Sequence, residues 1–188
     1  RKKNKIKLSI VIPAYNEEKD IGECLSSIAM QDFPKSEFEV IIVDNFSNDK
    51  TTSIAKSFSH RINITILKNP IKDAELSKMI GFRKARGEFF MYLDADMRFV
   101  DSLFIKKMLY PFQDDERIAG NFIQFKVNKS HPPLTRTLSY DPFQRDPIFS
   151  FFTISIDDVL IKKKRGYWLC FCDKNKIELH IFSYKEEF

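Results

Sequence analysis

The chain has 188 residues, 43% of them hydrophobic, a formal charge of +5 and three cysteines. That size supports one compact domain, or one domain with a small appendage. The apolar runs fall far short of the roughly 20 residues a membrane-spanning helix needs, the polar, basic N-terminus is not a secretory signal, and Cys24, Cys170 and Cys172 form neither a metal-ligand pattern nor an even disulfide set.

Lys7–Ile12 (KLSIVI) reads as a buried strand stopped by Pro13. Glu17–Met30 reads as a helix capped by Asn16, with Ile21, Cys24, Leu25 and Ile28 on one apolar face. Glu39–Val43 is a second buried strand ending in Asp44. Ser47-Asn48-Asp49 then signals a turn and cap before a helix over Thr51–Ser59. A third strand is expected over Asn63–Leu67. A helix follows over Asp73–Ala85, with Leu76, Met79, Ile80 and Arg83 at helical spacing and Gly87 as its stop. Phe89–Leu93 is the fourth strand. Asp101–Tyr110 reads as a helix stopped by Pro111, and Ile118–Val127 as a fifth strand.

Alternation of strand and helix with short links predicts an α/β fold, a mostly parallel sheet flanked by helices on both faces. In such sheets ligands bind beyond the carboxyl ends of the strands. Asn16, Asp44 and Asp94 all fall just past such ends. Beyond Asn128 the pattern changes: prolines interrupt the chain and aromatics crowd Tyr140–Phe152. A helix is expected to start near Ser155 and run through Lys162–Arg165, with a last strand at Tyr167–Cys172. The chain does not begin with Met and ends without a finishing signal, so it is expected to be a piece of something longer.

The first turn, Pro13-Ala14-Tyr15-Asn16, has no glycine-rich phosphate cradle. A dinucleotide site, a P-loop enzyme and a nucleotidyltransferase are therefore disfavoured. A phosphate bound here needs another source of positive charge, and a divalent cation held by carboxylates is the natural candidate. Mg²⁺ or Mn²⁺ needs only one or two protein carboxylates when substrate phosphates supply further ligands. Asp94 and Asp96 are two apart and face the same way if the chain stays extended. Taken alone, the pair reads first as carboxylates solvating a strand end or capping a turn.

Three runs together change that weighting: SIVIPAYNEE (9–18), VDNFSND (43–49) and YLDADM (92–97), the last preceded by KMIGFRKARGEFF. In order and spacing they resemble the inverting glycosyltransferases of family 2, which have the GT-A fold. The resemblance spans residues 6–127. It implies a GT-A, Rossmann-like domain, with 1–127 binding a nucleotide sugar and 128–188 forming the acceptor side. It further implies that Pro13, Ala14, Tyr15 and Glu17 line the nucleotide pocket and that Asp44 accepts a hydrogen bond from the base. By the same likeness Lys78 faces the nucleotide or its phosphates, Asp94 sits near the ribose and metal, and Asp96 ligates a Mn²⁺ or Mg²⁺ ion bridging the diphosphate. Asp157 and Asp158, in IDDVLIKKKRGYW, best match the family's catalytic base, and Asp146 is a rival. Asn45-Phe46-Ser47 stands where the family usually shows Asp-Gly-Ser.

The activity so implied is transfer of a sugar from a UDP- or GDP-sugar to a hydroxyl of a glycan or to a lipid-linked acceptor. No nucleic-acid partner is expected. The expected location is cytoplasmic, with peripheral contact at the inner membrane face through the basic run Lys162–Arg165. Tyr140, Phe143, Ile148, Phe149, Phe151 and Phe152 would line an acceptor groove, touch the membrane, or close the core. The alternative is a non-catalytic nucleotide-sugar-binding or assembly module on the same fold.

Overall fold

The computed structural model describes residues 5–114 and two short strands, 162–164 and 167–169. The chain divides into two units, Arg1–Lys107 and Met108–Phe188. In the first, β1 (Leu8–Ala14), β2 (Phe38–Asp44), β3 (Ile64–Lys68) and β4 (Phe89–Tyr92) form one sheet in the order β3-β2-β1-β4, every pairing parallel. The helices between them are α1 (Ile21–Ala29), α2 (Thr51–Ser57, continued by a 3-10 turn at Phe58–His60) and α3 (Ala74–Lys84). Strands β1 and β2 are continuous apolar runs because both their faces are covered. A right-handed crossover puts α1 and α2 on one face as the chain steps from β1 to β3. The reversed step from β3 past β1 to β4 puts α3 on the other. The strand order therefore reverses between β1 and β4, the place where open α/β sheets bind ligands.

The apolar face expected for the first helix is buried as read: Ile21, Cys24, Leu25 and Ile28 are all fully covered. Its start differs. The helix begins at Ile21, and Asn16 does not cap it but takes a left-handed backbone (φ 56°). Burying three aliphatic side chains contributes about 5–8 kcal/mol, against about 1 kcal/mol for a cap, so packing outweighs the missing cap. Helix α3 is capped by Asp73, whose carboxylate accepts from the Leu76 N–H at 2.6 Å.

Of the stripe that spacing suggested, Ile80 packs against the Val11, Ile41 and Val43 side chains of the sheet and Leu76 is half-buried, while Met79 and Arg83 are exposed; the fully buried α3 residues are Ser77 and Gly81. A Cβ on Gly81 would lie 2.3 Å from Val11 Cγ1, so only a small residue allows this approach. Gly87 also has a different role from a helix stop. It lies three residues past α3, and a Cβ there would come within 2.6–2.8 Å of the backbone of Ser9, Phe89 and Leu8. Its hydrogen lets the chain enter β4 against β1.

Two further readings are corrected. Helix α4 (Phe104–Asp114) runs through Pro111 instead of stopping there, at the cost of one backbone hydrogen bond. In the second unit, Lys162–Lys164 is not helical but forms β5, antiparallel to β6 (Tyr167–Leu169). The expected strand at Ile118–Val127 lies outside the described residues.

Polar groups are buried at each end of the sheet. At the amino end, Glu39 is 2% exposed. Its carboxylate accepts from Ser9 Oγ (2.8 Å), the Arg86 N–H (2.8 Å) and Arg86 Nε and Nη2 (3.0 and 2.6 Å). Burial alone would raise its pKa, but the hydrogen bonds from Arg86 and Ser9 outweigh it and hold the carboxyl below its usual range. At the carboxyl end, Asn45, Asn69 and Ser77 are buried together. Asn69 Nδ2 donates to Asn45 Oδ1 (2.9 Å), to the Asp73 carbonyl (2.9 Å) and towards Ser77 Oγ (3.0 Å), while Ser77 Oγ donates to Asn45 Oδ1 (2.7 Å). The Ile71 N–H donates to Asn69 Oδ1. The loops after β2 and β3 and the start of α3 are thereby fixed to one another.

Two stability measurements follow. Breaking a buried charge pair costs about 3–5 kcal/mol; with the Arg86 side chain partly in water, Glu39→Gln should cost about 2–3 kcal/mol in urea unfolding at pH 7. Because the folded pKa of Glu39 is depressed, its contribution is present above the unfolded value near 4.5 and is lost as pH falls through the folded value. The gap between variant and wild type should therefore close in acid; a gap constant from pH 7 to pH 3 contradicts this. Asn69→Ala, which leaves the Ile71 N–H without its acceptor and takes one of two donors from Asn45 Oδ1, should cost about 2–3 kcal/mol, and wild-type stability in that variant would rule the triad out as a brace.

Candidate functional site

The carboxyl ends of β1, β2 and β4 bring together most of the residues singled out from sequence. Ala14 and Asp44 are register partners on adjacent strands, and the Asn45 N–H donates to the Ala14 carbonyl at 2.9 Å. The two loops that follow are laced by side chain–backbone hydrogen bonds. Asn16 N–H donates to Ser47 Oγ (3.0 Å) and Asn16 Oδ1 accepts from the Asn48 N–H (2.9 Å). The Glu17 N–H donates to Thr51 Oγ1 (2.7 Å), and the Glu18 N–H to Asp49 Oδ2 (3.0 Å). This lacing is why Asn16 is unavailable as a helix cap. It is also how the turn holds its shape without glycine: Asn16, Phe46 and Lys72, the non-glycine residues with positive φ among the described residues, all lie in loops at this end.

Pro13 is half-buried and Ala14 buried, so they offer mainly backbone, while Tyr15 stands 45% exposed. Lys72 Nζ lies 4.8 Å from the Tyr15 ring centre and donates to its hydroxyl at 3.3 Å. Asp44 is only 2% exposed, and its Oδ1 accepts from the Ser47 N–H at 3.1 Å, closing the turn that presents Phe46. It is thus a turn-closing group whatever else it contacts.

Across the switch point, β4 carries Phe90 and Tyr92 on the α3 face, their rings edge-to-face at 4.4 Å. The Leu93 N–H still pairs with the Val11 carbonyl, after which the chain turns at Ala95-Asp96, closed by the Met97 N–H on the Asp94 carbonyl (3.0 Å). Alternation survives the turn: Leu93 and Ala95 are buried, Asp94 and Asp96 exposed. Among the described residues neither carboxylate has a salt-bridge partner. Their charge is felt nearby. Glu17, half-buried, has its pKa raised, first by burial and then by Asp96, Asp20, Asp49 and Asp94. Burial pushes the Cys24 thiol up to about 12, with Asp96 and Asp94 adding to it.

Lys78 is half-buried on α3, where it pairs with Glu75 (2.6 Å) and lies 5.8 Å from the Tyr92 ring centre. Its pKa is raised mainly by the Glu75 hydrogen bond, with Asp94 among the smaller causes. Asp157, Asp158 and the rival Asp146 lie outside the described residues.

Among the described residues no three carboxylate, histidine or thiol side chains converge as a ready metal cage. Two exposed, unpaired carboxylates in a locally negative surround still suit a hard cation that takes its remaining ligands from phosphate or water. No helix among the described residues is long and apolar enough to cross a membrane.

Sequence reasoning missed Phe46, Lys68, Lys72 and the Asn45–Asn69–Ser77 triad. Asn45 and Asn69 each follow the last residue of a strand, and a polar amide repeated at that place was the available signal. For Phe46 the available signal was its place where the family usually shows glycine, the residue that enters the left-handed region freely.

Comparison with known proteins is consistent with this geometry. The chain is 38% identical over 93 residues to the poly(ribitol-phosphate) beta-N-acetylglucosaminyltransferase TarS of Staphylococcus aureus (strain Mu50), covering 48% of this chain and 16% of that protein. It is 32% identical over 122 residues to the dolichyl N-acetyl-alpha-D-glucosaminyl phosphate 3-beta-D-2,3-diacetamido-2,3-dideoxy-beta-D-glucuronosyltransferase of Methanococcus voltae, covering 60% of this chain and 37% of that protein. The chain therefore spans well under half the length of these relatives. The structure matches S. aureus TarS 1–349 in complex with UDP-GlcNAc with a TM-score of 0.60 and 30% identity, over 68% of this chain and 37% of that one, and so has the GT-A fold. The Glycosyl transferase family 2 model matches residues 9–173, nearly the whole chain, and the chain belongs to that family.

Proposed function

We propose that the chain is the donor-binding and catalytic part of a metal-dependent, inverting glycosyltransferase that takes a UDP- or GDP-sugar. The observation that carries this reading is the exposed, unpaired pair Asp94 and Asp96 at the point where strand order reverses, close enough to Glu17 to raise its pKa. Negative charge gathered where a phosphate ligand should bind makes chemical sense only with a cation between them.

In this reading the backbone of Pro13 and Ala14, with Tyr15 and Glu17, lines the nucleotide pocket, and Asp44 meets the base at the rim of its turn. Asp94 lies toward the ribose and metal, Asp96 is the metal ligand, and Lys78 balances phosphate charge. Bound at Asp96, Mn²⁺ or Mg²⁺ would supply neutralisation of the charge that builds on the diphosphate leaving group. Asp158 or Asp157 removes the proton from an acceptor hydroxyl as its oxygen attacks the anomeric carbon from the face opposite the leaving group. The bond from the anomeric carbon to the diphosphate oxygen breaks, and the configuration inverts. An acceptor phosphate would already be ionised and need less from that base. Residues 128–188 form the acceptor side, facing a glycan or lipid-linked acceptor of the cell envelope from the cytoplasmic side, with peripheral membrane contact. The relatives' names, which include acceptors of both a polymer and a dolichyl phosphate type, support an acceptor of this class without choosing between them.

Donor hydrolysis tests the reading. With UDP-GlcNAc and Mn²⁺ the protein should slowly release UDP, and Asp96→Ala should reduce the rate by about 100-fold or more, the scale of losing one electrostatic stabiliser of the transition state. Full activity in Asp96→Ala removes Asp96 from the metal site. Binding of the sugar nucleotide with neither hydrolysis nor transfer under any divalent metal would favour the non-catalytic module.

A further inference from the structure

We propose that Phe46 is the base-stacking wall of the nucleotide site, its ring held out of the loop by a strained backbone that the fold retains for binding. The inference rests on the nucleotide reading above and assigns it a base-binding residue.

The starting point is a conformational outlier. Phe46 has φ 59°, in the left-handed region that glycine enters freely and a bulky side chain enters at a cost. Such strain persists only where the surroundings over-determine it. Both neighbours do so here. Asn45 is buried and hydrogen-bonded to Asn69 and Ser77. Ser47 gives its N–H to Asp44 and receives the Asn16 N–H on its hydroxyl.

Core packing does not account for the ring, which is 48% exposed. An apolar side chain that is both strained and half in water contributes little to folding, so glycine would serve the turn better. What phenylalanine adds is an exposed aromatic face beside the ends of β1 and β2. Lys68, register partner of Asp44, places Nζ 5.7 Å from the ring centre. On the adjacent loop, Tyr15 repeats the arrangement: an exposed ring with Lys72 against it. Two exposed rings on neighbouring strand ends, each attended by a lysine, match a ligand with a flat aromatic part and an anionic part. A nucleoside diphosphate has both, and base–aromatic stacking tolerates any base.

The test is calorimetric titration of the whole chain with UDP, GDP and inorganic pyrophosphate in the presence of Mn²⁺, with a melting temperature for each variant. Phe46→Gly and Phe46→Ala should bind UDP and GDP about tenfold more weakly, within the range alanine substitution gives for stacking, and Phe46→Tyr should bind like wild type. Pyrophosphate, which has no base, should bind all four proteins equally. Phe46→Gly should melt no lower than wild type, because glycine relieves the strain. Undiminished UDP affinity in Phe46→Gly overturns the proposal. So does a parallel loss of UDP affinity, pyrophosphate affinity and melting temperature, which would make Phe46 a structural residue. If wild type binds pyrophosphate but no nucleoside diphosphate any better, the nucleotide reading itself fails, and this inference with it.

Discussion

A sheet covered on both faces has no room for charge along its strands, and everything distinctive about this chain follows from that constraint. Each strand can carry polar groups only at its two ends. At the amino end the carboxylate of Glu39 is buried against Ser9 and Arg86, a closed arrangement in which every oxygen has a donor. At the carboxyl end, Asp94 and Asp96 emerge from β4 without a salt-bridge partner among the described residues. Similar side chains thus do opposite work. The satisfied carboxylate holds strands and loop together, and the unsatisfied pair leaves a local negative field that calls for a ligand.

The carboxyl end also has to be rigid, because a site that drifts by an ångström loses its use. Here rigidity comes from polar lacing instead of glycine-rich turns. The buried triad Asn45–Asn69–Ser77 fixes the loops after β2 and β3 to α3, and α3 can lie close enough to contribute Ser77 only because Gly81 lets it rest on Val11. The loops after β1 and β2 are tied by Asn16, Ser47, Asp49 and Thr51. With neighbours so constrained, Asn16 and Phe46 can be held in backbone conformations that neither would favour alone.

What could be read from sequence divides along the same physical line. KLSIVI and EVIIV were legible as strands because burial on both faces leaves no choice but a continuous apolar run; FFMYL has the same apolar run, although only Met91 and Leu93 of it are buried and Tyr92 is exposed. The parallel order then put Asp44, Asp94 and Asp96 at one end. Illegible were the features set by close approach or by long-range hydrogen bonds. The seat of α3 was read only in part: Ile80 does pack on the sheet, but Ser77 and Gly81, which lie closest, carry no hydrophobic signal, and Gly87 was misread as a helix stop because its real constraint is the backbone of β1. Asn16 looked like a cap, but a partner loop 32 residues away takes its side chain. Lys162–Lys164 looked helical, yet pairs with Tyr167–Leu169, since a short basic run carries no reliable period of its own.

The central claim is that the carboxyl end of this sheet binds a nucleoside diphosphate sugar through a cation held at Asp96. The most direct measurement is a thermal-shift screen of UDP-, GDP- and dTDP-sugars, each with and without Mn²⁺. The account predicts that one nucleotide class raises the melting temperature and does so only when Mn²⁺ is present. Equal stabilisation with and without Mn²⁺, or none from any sugar nucleotide, would contradict it.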